Sequence, residues 1–249
     1  MIQLQDFTIG FGERILLSEV NATIPDGKLT ALIGRNGTGK STLLRAIAGL
    51  RHKHSGKILL EGRSVTQMRA EEKARMLAFV TTQRTRIANL KCEDVVAMGR
   101  APYTNWIGRM QEVDKEIVGQ SLRAVGMEAY AHRTLDKMSD GECQRIMIAR
   151  ALAQSTPIIL LDEPTSFLDL PSRYELCLLL SRLAKEENKC ILFSTHELDI
   201  ALKLADSVAL IDPPHLSCMP SDEMLMSGKI ERLFRNASFA FDKFIPDMT

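Results

Sequence analysis

The stretch GRNGTGKST, residues 34 to 42, constrains this chain more than any other. Gly34, Gly39, Lys40 and Ser41 satisfy the spacing G-x-x-x-x-G-K-[ST], with a further glycine at Gly37. The apolar run KLTALIG precedes it, and a helical pattern over 41 to 48, stopped by Gly49, follows it. Glycines let backbone N–H groups turn inward, and a helix start adds the positive end of its dipole, so strand, loop and helix together cradle phosphate oxygens. Gly34, Asn36, Gly37, Gly39, Lys40, Ser41 and Thr42 are therefore expected to hold the phosphates of a nucleotide. Lys40 would reach the β- and γ-phosphates, and the Ser41 hydroxyl would sit on Mg²⁺. A plain glycine-rich turn would not explain the matching context on both sides.

A second stretch supports this. PIILLDEP, 157 to 164, is a buried-strand pattern ending in Asp162 and Glu163. An acidic pair at a strand end is by itself more often a turn. In an open α/β sheet, however, the carboxyl ends of strands are where ligands bind. Beside a phosphate loop, Asp162 fits the Mg²⁺-holding role and Glu163 a general base acting on water.

KLTALIG, PIILLDEP, KCILFSTH and SVALID read as parallel strands buried on both faces, separated by helical patterns such as 172 to 187. An α/β fold with a mostly parallel sheet follows. Residues 2 to 9, with Ile2 and Leu4 and then Phe7 and Ile9 on changing faces, and GKILLEG at 56 to 62 predict an antiparallel β subdomain at the N-terminus. The region from about 88 to 150 has no buried-strand run and predicts a helical insertion, so 1–249 is expected to be a single domain.

Hydrophobic residues make up 45% and charged residues 25% of the 249, and the net charge is +1, leaving no field that would select nucleic acid. Five scattered cysteines without metal-ligand spacing suit a reducing compartment. MIQLQDFTIG is not patterned as a signal peptide, and no apolar run is long enough to span a bilayer, so membrane association is expected only through another protein.

DKMSDGECQRIMIARAL, 136 to 152, predicts a helix start with Ser139 as N-cap and Glu142 completing a capping box. Capping leaves Gly141 unexplained, because glycine in a helical turn costs about 1 kcal/mol against alanine. A phosphate loop, then about 100 residues on this serine-glycine helix start, then an acidic strand end resembles the ATP-binding-cassette (ABC) family.

The resemblance implies a P-loop NTPase core that hydrolyses ATP with Mg²⁺ as an ATP-sandwiched homodimer. Met138 to Glu142 stand where that family has its signature motif, so Ser139 and Gly141 would meet the nucleotide of the other subunit. Asp140 departs from the pattern and is expected to turn toward solvent or a basic neighbour such as Arg145. Phe11 resembles the aromatic that stacks on adenine. Gln83 resembles the glutamine that senses Mg²⁺ and the transport partner, Asp169 the loop between subunits, and His196 the switch histidine at the γ-phosphate.

VVAMGRAPYTNWIGR, 95 to 109, resembles importers of iron chelates, haem or cobalamin. That implies a polytopic permease, a substrate-binding protein, and a place on the cytoplasmic face of the inner membrane. Residues 84 to 109 would rim a groove for the permease, with Leu90, Tyr103 and Trp106 as anchors and Arg100 and Arg109 as polar rim. The alternatives are a soluble ABC ATPase of iron–sulfur cluster assembly, which GRAPY disfavours, a DNA-repair ATPase, for whose coiled coil there is no room between Gln83 and Ser139, and a nucleotide switch suggested by Asp140 alone.

Overall fold

The computed structural model describes residues 1–12, 14–51, 53–81, 88–104 and 109–234. The first sheet is antiparallel. Its strands are β1 (Ile2–Phe11) and β2 (Arg14–Ile24), and, after β3 (Leu29–Gly34) and helix α1 (Lys40–Ile47), β4 (His54–Leu60) and β5 (Arg63–Ser64), in the order β2-β1-β4-β5. Although Ile2, Leu4, Phe7 and Ile9 change phase in the sequence, all four are buried. The register shifts between Leu4 and Phe7, and Asp6 takes a φ of 46°, so a bulge returns the second pair to the core face.

The chain continues through α2 (Ala70–Met76), β6 (Leu77–Val80), α3 (Cys92–Ala97), α4 (Glu112–Ala124), α5 (Asp140–Ala153) and β7 (Ile158–Leu161). It then passes through α6 (Leu170–Glu186), β8 (Cys190–Ser194), α7 (Leu198–Leu204), β9 (Ser207–Asp212), β10 (His215–Pro220), α8 (Ser221–Met226) and α9 (Lys229–Phe234). The second sheet runs β10-β9-β3-β8-β7-β6, parallel except for the edge strand β10.

Alternate residues of this sheet enter two cores. Leu32, Ile158, Leu160, Leu192 and Ile211 face the antiparallel sheet and α1, where Leu43, Leu44 and Ile47 pack. Ile33, Ile159, Leu161, Phe193 and Leu210 share the other core with Ile148 and Ala149 of α5 and Leu176 and Leu180 of α6. Burial on both faces is why these strands read as unbroken apolar runs. Each such side chain contributes about 1.5–3 kcal/mol.

Between 88 and 150 the described residues form helices and the turns that join them, apart from an isolated bridge between Lys91 and Thr134. Val95 and Val96 of α3 and Val118 and Leu122 of α4 join Ile146 of α5 in the core shared with the sheet. One residue of the expected polar rim is buried instead. Arg100 is 6% exposed, its Nε donates to Asp114 Oδ1 at 2.9 Å, and its Nη1 donates to the Ala153 carbonyl at 2.8 Å. Its guanidinium also lies 4.1 Å from the Tyr103 ring, which Arg75 approaches too. Leu90 packs on the core rather than standing free as an anchor. Arg109 is exposed, whereas Trp106 lies outside the described residues.

Candidate nucleotide site

The phosphate loop begins where β3 ends. Gly37 and Gly39 have φ of 75° and 100°, left-handed conformations that only glycine adopts without strain. Gly39 is the N-cap of α1, so Lys40, Ser41 and Thr42 fill the first turn, where N–H groups have no intrahelical acceptor. A cavity of about 360 Å³ opens over this turn, lined by Phe11, Asn36, Gly37, Lys40, Thr42 and Glu163, with Gly39 and Ser41 also in its wall.

Lys40 is only 7% exposed, and its Nζ donates to the carbonyls of Gly34 at 2.9 Å and Arg35 at 3.4 Å. Burial pushes its pKa down, against the opposing pull of the Glu163 and Asp162 carboxylates. A largely desolvated ammonium beside the first-turn amides of a helix is a site that gains from a bound anion, so the loop fits nucleotide phosphates.

At the end of β7, Asp162 is 3% exposed, and its Oδ1 accepts from the hydroxyls of Ser41 at 3.0 Å and Ser194 at 2.7 Å. The half-buried Ser41 hydroxyl in the cavity wall and the buried Asp162 carboxylate oxygen bonded to it are the hard donors that Mg²⁺ takes, alongside phosphate oxygens. Next to it, Glu163 has a φ of 48°, a left-handed state costing about 1–2 kcal/mol for a residue with a Cβ. Pro164 disfavours the right-handed alternative for the residue before it. Hydrogen bonds hold the turn: Glu163 N donates to Ser194 Oγ at 2.9 Å, and the Glu163 carbonyl accepts from Ser166 Oγ at 2.6 Å and Ser166 N at 3.2 Å.

His196 Nδ1 lies 3.9 Å from Glu163 Oε1, with its side chain 54% exposed. The backbone beside it is held by Glu197, which pairs with Arg173 at 3.1 Å and accepts from Thr165 Oγ1 at 3.4 Å.

Ser139, Gly141 and Asp169 lie together elsewhere, in a second concavity of about 380 Å³ that also includes Asp140, Arg145 and Phe167. The capping box is present: Ser139 Oγ accepts from Glu142 N at 3.3 Å, and Glu142 Oε2 accepts from Ser139 N at 2.8 Å. Gly141 has a packing reason that its sequence context does not disclose, since a Cβ there would stand 3.1 Å from Leu168 Cδ2. Asp169 caps α6 by accepting from Ser172 N at 3.1 Å, and hydrogen bonds from Ser172, its hydroxyl first and its amide second, hold its carboxyl below the usual range. Arg145 pairs with Glu175 at 3.0 Å.

Phe11 is 66% exposed rather than core, with the Arg51 guanidinium 5.1 Å from its ring. Gln83 lies outside the described residues. Ser194, Ser166, Arg173 and Glu197 also brace the site without standing out in the sequence. Their only signal is a hydroxyl breaking an apolar strand in FSTHE and polar residues flanking the expected site.

A phosphate loop between strand and helix, facing carboxylates at the end of a parallel strand, defines a P-loop nucleotide-binding domain. More particularly, the chain belongs to the ABC transporter family, whose domain matches residues 17–166. It is 42% identical over 211 residues to an uncharacterized ABC transporter ATP-binding protein of Methanocaldococcus jannaschii, covering 85% of this chain and 73% of the relative. It is 36% identical over 204 residues to the iron(3+)-hydroxamate import ATP-binding protein FhuC of Bacillus subtilis, covering 82% and 76%. With the ferric enterobactin transport ATP-binding protein FepC of Escherichia coli the identity is 33%, covering 92% and 85%.

Among solved structures, an inward-facing ABC transporter assigned to the metal-chelate type superposes with a TM-score of 0.82 at 28% identity, over 94% of this chain and 88% of that one. The dimeric post-hydrolysis cassette MJ0796 bound to ADP and Pi gives 0.76 at 25% identity, over 89% and 99%. Among the described residues no helix is long and apolar enough to cross a membrane.

Proposed function

We propose that this chain is the ATP-hydrolysing subunit of an ABC importer for iron chelates, working as a homodimer on a polytopic permease at the cytoplasmic face of the inner membrane. A substrate-binding protein would deliver the cargo. The observation that carries the site reading is the meeting of Lys40 and Ser41 with Asp162 and Glu163 at one cavity, while Ser139 and Gly141 line a different concavity. A chain with two separate half-sites completes each one by pairing with a second copy.

Lys40 and the amides of the α1 first turn would bind the β- and γ-phosphates, and Phe11 would offer its exposed ring to the base. Ser41 and Asp162, with Gln83, would hold Mg²⁺, whose chemistry is to neutralise charge on the phosphates. Glu163 would take a proton from the attacking water, and His196 would donate a hydrogen bond to the γ-phosphate. Ser139 and Gly141 would present the positive end of α5 to the partner's nucleotide, with Asp169 between the subunits.

Relatives named for hydroxamate and enterobactin systems favour iron chelates over haem or cobalamin, and favour an importer over soluble cluster assembly. The test is uptake of labelled ferric hydroxamate and catecholate chelates, haem and cobalamin by cells lacking this chain, with and without the Glu163→Gln form. Loss of ferric-chelate uptake, restored only by the unmodified chain, is expected. Unchanged chelate uptake would overturn the cargo assignment.

A further inference from the structure

Ser194 is the last residue of β8, fully buried, and follows four apolar residues, Cys190 to Phe193. Its hydroxyl spends both of its roles on consecutive residues of the neighbouring strand end: it donates to Asp162 Oδ1 at 2.7 Å and accepts from Glu163 N at 2.9 Å. The parallel register that sets Leu161 opposite Phe193 places Ser194 beside that pair.

We propose that Ser194 is a positioning residue for ATP hydrolysis, holding Glu163 in its left-handed turn and in fixed relation to Asp162. A hydroxyl at a fully buried strand position is costly unless both bonds are made, and an apolar residue would satisfy the core equally well. Here the two bonds hold one peptide in a conformation its Cβ disfavours and brace the adjacent carboxylate. Ser166 anchors the same turn from the far side through the Glu163 carbonyl, so the peptide that carries the side chain is pinned at both ends. Loss of Ser194 leaves Asp162 its Ser41 donor but frees the Glu163 N–H, and the effect should fall on turnover more than on nucleotide affinity.

This inference rests on Glu163 being the general base, and the experiment separates the two. In the full-length chain, Ser194→Ala, Ser194→Thr and Glu163→Gln are compared for kcat, KM, calorimetric affinity for MgATP and exchange of the Glu163 amide without nucleotide. Ser194→Ala should lower kcat about tenfold or more with KM and affinity within about threefold, and should speed Glu163 amide exchange about tenfold. Ser194→Thr, which keeps the hydroxyl, should restore kcat and amide protection to within about threefold. Glu163→Gln should abolish turnover. Unchanged kcat and amide exchange in Ser194→Ala, or equal losses in kcat and affinity without rescue by threonine, would overturn the inference. Turnover persisting in Glu163→Gln would instead overturn the assignment of the base.

Discussion

The Ser41 hydroxyl donates to Asp162 Oδ1 at 3.0 Å, although 121 positions separate the two residues in the chain. One follows β3 and the other follows β7, and β8 lies between these strands in the sheet. Replacing Asp162 by asparagine keeps the shape and removes the charge. Asp162→Asn should bind ATP without metal as well as the unmodified chain, and should lose the gain in affinity that Mg²⁺ brings, by about tenfold or more. Calorimetry with and without Mg²⁺ measures this, and an unchanged Mg²⁺ effect would remove Asp162 from the metal site.

Lys40 is a buried cation whose pKa lies below its unfolded value of 10.5. Such a group costs stability while it is protonated in both states, and the cost fades as pH rises through the folded pKa toward the ordinary lysine value. Lys40→Met should therefore hold or raise the nucleotide-free Tm at neutral pH while abolishing the increase in Tm that MgATP brings. A lower Tm with the MgATP increase intact would mean that the ammonium serves packing rather than phosphate.

Gly141→Ala gains about 1 kcal/mol of helix propensity and places a methyl 3.1 Å from Leu168 Cδ2. The two effects on stability oppose each other, and the Leu168 side chain, which sits between Phe167 and Asp169 in the second concavity, must shift by a few tenths of an ångström. Turnover should fall about tenfold or more with Tm nearly unchanged. Thermal scans and steady-state ATPase assays decide, and full activity would mean the second concavity tolerates a Cβ.

The Arg100–Asp114 pair is buried, so removing one partner strands a charge. Arg100→Ala should lose about 3–5 kcal/mol in denaturant unfolding. The Asp114 carboxyl is held below its ordinary value, first by the Gln111 amide and then by Arg100. Its contribution is present above that ordinary value and is lost as pH falls through the folded pKa. The stability gap between the unmodified chain and Asp114→Asn should therefore be full at pH 7 and close in acid. A gap that widens on acidification would contradict the pair.

The sequence by itself determined whatever is written locally. The glycines, lysine and serine of 34 to 42 have a spacing that predicts a tight turn between a strand and a helix, and the fold has it: β3 ends at Gly34, Gly37 and Gly39 are left-handed, and α1 starts at Lys40. Ser139 and Glu142 form a cap within three residues, and the apolar runs of β3, β7, β8 and β9 are legible because both faces are buried. Phe11 could be matched to a role from the family pattern, but its exposure was a matter for the fold.

Tertiary structure decided what depends on neighbours distant in sequence. The strand order brought Asp162 to Ser41, and the β7–β8 register set Ser194 under Glu163. The bulge at Asp6 turned Phe7 and Ile9 inward, against the phase of the pattern. Arg100, which reads as a surface cation, is buried because Asp114 and the end of α5 supply its partners. A single residue's burial depends on what packs over it, and no periodicity along the chain records that.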